Sequence, residues 1–334
     1  MDNVTTVGID LAKTVFSLHG VDAFGQVVLR RTVKRGELRR VIAQLPACVI
    51  GMETGSGAHQ WAREFQNFWH TVKLMSPRLV IPYRQGGKND GNDAEAICEA
   101  VRRPSMRFVP VKSLEQQAVL CLHRVHEGFI EERTATLNRI RGLLAEFGFV
   151  IARRSNEVRR AVPALLEQLP AFSARCVRDL LDHVRALDER IKEYDREIAQ
   201  HARSDVRARL IQQRMGIGPM TASAYIANIG DGAEFKNGRQ VVAWLGMTPK
   251  QHSTGGKARL GQITRRGDRY LRTLLILGAR SVLQRASRHT DPFSQWALAL
   301  RQRRGYHRAC VAIAAKNARV AWAMLQGRTP RTAR

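Results

Sequence analysis

Val7-Gly8-Ile9-Asp10-Leu11-Ala12-Lys13 holds the end of a short apolar run, Val4–Asp10, that closes on an acid. A run of this length reads as a buried strand. A carboxylate at the end of such a strand is costly unless it is paired or bound to metal. The pattern recurs in Val49-Ile50-Gly51-Met52-Glu53-Thr54-Gly55. Around these two runs, residues 15–21, 26–33 and 72–75 read as further strands. Residues 36–45 and 58–69 have helical spacing. Strands followed by helices in this order predict a mixed sheet covered by helices, an α/β domain.

Residues 85–91, Gln-Gly-Gly-Lys-Asn-Asp-Gly, are polar and glycine-rich and read as a loop, with a helix from 92 to 102. Asp90 and Asp93 stand three apart at the start of that helix, on one face of it. Two strand ends and a helix start can converge on one point. Asp10, Glu53, Asp90 and Asp93 are hard oxygen ligands of the kind that suits Mg²⁺, with Mn²⁺ as the alternative. Two such ions about 3.5–4 Å apart activate an attacking oxygen and stabilise a leaving one in phosphodiester chemistry. Each acid also has a plainer reading. Asp90 or Asp93 could cap the helix, and Glu53 could be a loop acid, so the argument rests on the set.

From about residue 113 to 202 Gly and Pro become rare, and apolar residues recur at helical spacing. Two long helices separated by residues 147–169 are expected, forming an antiparallel or intermolecular coiled coil. Beyond 205, Met215-Gly216-Ile217-Gly218-Pro219 lies between two helical patterns. It reads as a helix-hairpin-helix turn whose backbone N–H groups suit a phosphate. The expected division is 1–110, 111–204 and 205–334, the last mainly α-helical.

The chain carries 55 Lys+Arg against 29 Asp+Glu, a formal net charge of +26. Between residues 257 and 334 the only acids are Asp268 and Asp291. Positive charge concentrated in this way points to nucleic acid, because each neutralised phosphate releases counterions. No apolar run approaches the roughly 20 residues of a membrane span, and the N-terminus lacks the layout of a signal peptide. The 44% hydrophobic content excludes a wholly disordered chain. The five cysteines are scattered without a CxxC pair, which argues against a zinc cage or disulfide framework and fits the cytoplasm.

The segment 246–261 reads Gly-Met-Thr-Pro-Lys-Gln-His-Ser-Thr-Gly-Gly-Lys-Ala-Arg-Leu-Gly. Within it and shortly after lie Lys257, Arg259, Arg265, Arg266, Arg269 and Arg272. A hydroxyl here could attack a phosphate clamped by guanidinium groups. Composition alone favours a basic nucleic-acid-binding loop in which Ser and Thr only touch phosphates.

Gly-Ile-Asp-x-Ala-Lys (8–13), Met-Glu-Thr-Gly (52–55), Lys-x-Asp-x-x-Asp-Ala (88–94) and the serine segment together resemble the DEDD transposases of the IS110 family, IS1111 group. The resemblance spans the whole chain. It departs at Asn89-Asp90-Gly91-Asn92, where relatives often carry Thr and basic residues; both acids remain. It implies a RuvC-like, RNase H-type N-terminal domain with Asp10, Glu53, Asp90 and Asp93 as the acidic tetrad. It places on Ser253 the serine that forms a 5′-phosphoserine bond with DNA; a one-residue slip would put Thr254 there. It further implies donor and target DNA as substrates, a structured non-coding guide RNA, and homodimers that pair into tetramers. A cytoplasmic enzyme associated with the nucleoid when active is expected. The rival readings are an RNase H-type nuclease that resolves branched DNA with the metal site alone, and a non-catalytic nucleic-acid binder.

Overall fold

The computed structural model describes residues 3–257 and 259–328. Ala258, within the serine segment, and residues 329–334 of the basic tail lie outside the described residues. The chain forms two compact units, Met1–Ser113 and Leu114–Arg334.

In the first unit, β1 (Thr6–Asp10), β2 (Val15–Val21), β3 (Val27–Lys34), β4 (Val49–Glu53), β5 (Thr71–Met75) and β6 (Phe108–Val109) make one sheet. Its order is β3-β2-β1-β4-β5-β6. β1, β4 and β5 run parallel, while β2 is antiparallel to both β1 and β3. The β6 strand has only two residues, too few for any periodicity to show in the sequence. The helices are α1 (Arg35–Ala43), α2 (Ala58–Gln66), α3 (Pro77–Val80) and α4 (Asp90–Val101).

Alternation along the strands divides the layers. Val7, Ile9, Ile50 and Met52 share a core with Leu38 and Ile42 of α1 and Ala62 and Phe65 of α2. The opposite face carries α4. Gly8 and Gly51 are paired across β1 and β4, and both lie beneath that helix. A Cβ at Gly8 would sit 2.2 Å from the Ala94 carbonyl oxygen and 2.4 Å from the Cys98 nitrogen; one at Gly51 would sit 2.9 Å from Val101 Cβ. Glycine here lets a helix backbone rest directly on a strand. Gly8→Ala is therefore expected to destabilise the unit by roughly 3 kcal/mol or more, because backbone rather than a flexible side chain must yield. Urea unfolding reads this, and an unchanged midpoint would refute the close packing.

The second unit contains α5 (Leu114–Ala145), α6 (Ser155–Leu165), α7 (Ala171–Ser204), α8 (Val206–Gln212), α9 (Pro219–Ile229) and α10 (Gly238–Trp244). A hairpin of β7 (Pro249–Gln251) and β8 (Leu260–Ile263) follows, then α11 (Arg269–Arg285), α12 (Pro292–Arg304) and α13 (Tyr306–Leu325). The two long helices expected between 113 and 202 are α5 and α7. They lie antiparallel within the one chain, with Arg133 bonded to Asp188 at 3.0 Å and His183 to Glu132 at 2.8 Å. The short α6 occupies the separating segment and adds Val158 and Val162 to the core shared by Leu137, Ile140, Val177, Leu181 and Val184.

A buried polar chain ties four helices of this unit. His123 Nδ1 lies 3.0 Å from the Tyr270 hydroxyl, and His123 Nε2 lies 2.9 Å from Ser223 Oγ. Ser223 Oγ is also 2.9 Å from His201 Nδ1. The Tyr270 hydroxyl donates onward to Met220 Sδ at 3.4 Å, so His123 Nδ1–H donates to Tyr270, Ser223 O–H to His123 Nε2, and His201 Nδ1–H to Ser223. Burial, then the neighbouring His126 and His201, lowers the His123 pKa to about 4. An unfolded histidine titrates near 6.5, so between those values the unfolded chain takes up a proton that the folded chain refuses. Stability is thus expected to fall as pH drops from 6.5 to 4, by roughly 3 kcal/mol from this group. Urea titrations of wild type and His123→Asn should differ by one proton in that window. Identical pH slopes would exclude the effect.

Candidate functional site

The four acids are all in the first unit, around one end of the sheet. Asp10 ends β1 and Glu53 ends β4, and the pairing Ile9↔Met52 sets these parallel strands side by side. Each acid is two residues beyond the glycine that supports α4, so both fall on the helix-covered face. The α4 helix contacts Gly8 through Ala94 and Cys98, so its opening turn, with Asp90 and Asp93, lies toward the strand ends. Sequence reading starts this helix at 92. The structure starts it at Asp90, because the Asn89 side chain is the cap and accepts from the Asn92 N–H at 2.8 Å. Asp90 and Asp93 are therefore free of the capping task.

The electrostatics of the group are cooperative. Burial first, then the charges of Asp93 and Asp90, raises the Asp10 pKa. Burial, then Asp10 and Asp93, raises that of Glu53. Two cations oppose this. Lys88 lowers both, and Arg84 lowers Glu53 while donating to Asp93 Oδ1 at 3.1 Å. Lys88 belongs to the motif, but Arg84 was not legible, since nothing in its own stretch marks it. Among the described residues no three His, Cys, Asp or Glu side chains close into metal-ligand geometry. The donor set nevertheless fits a hard divalent cation in kind: half-buried Asp10, Glu53 and Asp93 beside the exposed Asp90, carboxylates that repel one another, with Asp93 drawn to an arginine.

Ser253 lies in the second unit, in the loop of the β7–β8 hairpin. The Gly255-Gly256 turn has φ of +55° and +75°, which glycine adopts freely. It is closed by Lys257 N–H donating to the Thr254 carbonyl at 3.1 Å. Ser253 Oγ accepts from Gln251 Nε2 at 2.9 Å and from the Arg259 N–H at 3.3 Å. Both bonds put donors on the oxygen and so stabilise it as negative charge develops. Thr254 is held instead in a bridge with Lys257. Gln251 carried no signal in the sequence.

The expected phosphate-binding cations divide. Lys257, Arg259, Arg265, Arg266 and Arg269 are exposed. Arg265 has φ of +56°, a strained conformation for a non-glycine residue. It is held by its N–H donating to the Gly246 carbonyl at 2.9 Å. Arg272 differs from expectation: it is 8% exposed, and its Nη1 donates to the Leu245 carbonyl at 2.9 Å. Its guanidinium fastens α11 to the loop before β7, leaving it no part in a nucleic-acid face. In the turn between α8 and α9, Gly216 has φ of +88° and packs on α11, where a Cβ on Gly278 would meet the Gly216 carbonyl oxygen at 1.9 Å. Gly218 faces open space.

Comparison with known proteins adds to this geometry. A DEDD-type model described as "Transposase" matches residues 7–149. A model described as "Transposase IS116/IS110/IS902 family" matches residues 208–295. The chain is 49% identical to a probable family 20 transposase of Pseudomonas aeruginosa, covering 98% of both chains. It is 40% identical to the transposase for insertion sequence element IS1111A of Coxiella burnetii, over 97% of this chain and 90% of the relative. It is 38% identical to the transposase for IS1328 of Yersinia enterocolitica, over 96% and 97%.

Proposed function

From the premise that the chain belongs to the IS116/IS110/IS902 transposase family, we propose that it recombines insertion-sequence DNA through a covalent phosphoserine on Ser253, assisted by the four-acid site. The transposase activity comes with the family. The observation that carries the finer reading is the clustering of Asp10, Glu53, Asp90 and Asp93 at one sheet end, where burial and the neighbouring carboxylates raise the pKa values of Asp10 and Glu53. The RNase H-type reading of this unit is supported by the strand order β3-β2-β1-β4-β5 with β2 alone antiparallel to β1.

Asp10, Glu53, Asp90 and Asp93 would hold Mg²⁺, which supplies charge neutralisation at a scissile phosphate. Ser253 Oγ attacks phosphorus; the Oγ–P bond forms, the P–O3′ bond breaks, and the departing 3′ oxygen takes up a proton. The serine proton is released to solvent or a nearby base. Gln251 Nε2–H and the Arg259 N–H steady the oxygen, and Lys257, Arg259, Arg265, Arg266 and Arg269 balance the phosphate charge. A freed 3′-hydroxyl then attacks the phosphoserine, forming a new P–O3′ bond and returning Ser253. The acids lie in the first unit and Ser253 in the second, and the reading calls on both for the chemistry, in homodimers that pair into tetramers on DNA. A structured guide RNA would select sequence by base pairing. Among the described residues no helix is long and apolar enough to cross a membrane.

The test is to trap the adduct on a labelled DNA junction and map it by mass spectrometry. A phosphopeptide carrying DNA at Ser253 supports the reading, and one at Thr254 shifts the register by one. Cleavage without any adduct supports the metal-only nuclease.

A further inference from the structure

We infer that Arg214 and Lys316, mounted on the stacked rings of Phe293 and Trp296, form a second clamp for the phosphate backbone of duplex DNA, apart from the Ser253 hairpin. This inference does not depend on the serine chemistry, because it concerns binding alone.

Three elements build the clamp. Phe293 and Trp296, one turn apart on α12, stack with centroids 5.7 Å apart and planes 17° from parallel. Arg214, at the start of the α8–α9 turn, lies with its Cζ 3.7 Å from the Phe293 centroid. Lys316 of α13 places its Nζ 4.2 Å from the Trp296 centroid and 5.6 Å from that of Phe293. Asn317, fully buried, fixes the arrangement to the turn. It accepts from Arg214 Nε at 2.9 Å and donates through Nδ2 to the Met215 carbonyl at 2.9 Å.

The two cations are crowded and under-compensated. Arg214 Nη2 is buried with no hydrogen-bond partner among the described residues. Burial lowers the Lys316 pKa, and so do the charges of Arg214 and then Arg319. Asp291 is the carboxylate that acts on Arg214. Its Oδ1 is engaged with the Phe293 and Ser294 N–H groups, each at 3.0 Å. Its Oδ2 is buried without a partner. Ring quadrupoles hold the cations without cancelling their charge. Because Arg214 Nη2 is closed to solvent, Arg214 would act on a phosphate through its charge, while the partly exposed Lys316 offers the direct contact.

The class of ligand follows from which groups are left open. Arg214 and Lys316 cover ring faces of the aromatic pair, so the surface offers charge in place of a stacking platform for bases. In the same α8–α9 turn as Arg214, Gly218 leaves the start of α9 open to solvent, where backbone N–H groups favour a phosphate. Charge and N–H donors without base-reading groups describe contact to a duplex backbone that is independent of sequence.

The experiment measures affinity of the full chain for a duplex of arbitrary sequence across KCl concentrations. The variants are wild type, Lys316→Gln, Lys316→Arg and, as a charge-matched control on α7, Lys192→Gln. Loss of one phosphate contact lowers the log–log salt slope by about 0.9. Lys316→Gln is therefore expected to weaken binding about five-fold at 0.15 M KCl and reduce the slope by about one. Lys316→Arg should keep the wild-type slope, which also shows that the site folds. Equal slopes for Lys316→Gln and Lys192→Gln would overturn the clamp. Weakening confined to a single-stranded RNA probe would overturn its assignment to duplex DNA.

Discussion

Alanine at Ser253 is expected to abolish the covalent protein–DNA adduct and to lower strand exchange by about 10³-fold or more, while duplex binding stays within about two-fold. The size follows from the role. Without an Oγ there is no linkage to conserve the energy of the broken phosphodiester, so rejoining has no activated phosphate to attack. Binding is spared because the exposed cations of the hairpin and of the segment before α11 remain. The side chain is exposed and forms no part of a core, so a folding defect does not confound the result. Gln251 and the Arg259 N–H lose one shared acceptor on the surface, where water replaces it. The readout is a denaturing gel of labelled DNA with and without protease. Full cleavage by Ser253→Ala, with no adduct in wild type, would sink the phosphoserine mechanism and leave the metal-only nuclease.

Asp10→Asn is expected to reduce DNA cleavage by a similar factor, about 10³-fold or more, with DNA affinity retained. Asp10 is one of two acids on which neighbouring carboxylates act: burial, then Asp93 and Asp90, raises its pKa. Asn keeps the volume and can accept a hydrogen bond, yet it removes the negative charge a divalent cation needs. In the apo protein the same change relieves repulsion, so Asp10→Asn should melt at or slightly above the wild-type temperature when no divalent ion is added. Added Mg²⁺ should stabilise wild type and leave the variant unmoved. Wild-type cleavage by Asp10→Asn would remove the acids from catalysis. Loss of DNA binding together with cleavage would assign Asp10 a structural part.

Much of the first unit was legible because strand and helix periods are written locally. The run ending at Asp10 and the run ending at Glu53 each became a strand with its acid at the carboxyl end. Boundaries shifted where a side chain decides them, as when Asn89 took the cap and opened α4 two residues early. The β6 strand went unread because two residues carry no period. The basic segment was legible as charge and illegible as role. Nothing in Arg269-Tyr270-Leu271-Arg272 distinguishes an arginine in solvent from one bonded to the Leu245 carbonyl.

The sequence by itself determined the family, the four acids, the serine segment and the two long helices, since each is carried by residue type at short spacing. Tertiary structure alone decided how those residues are used. Gly8 and Gly51 became the floor for α4, bringing its acids toward Asp10 and Glu53. Arg84 was set on Asp93, Arg272 was withdrawn into the interior, and Arg214 was joined to Lys316 across 102 positions of chain. Such pairings depend on which surfaces meet when the chain packs, and contact between distant residues leaves no period for a single sequence to display.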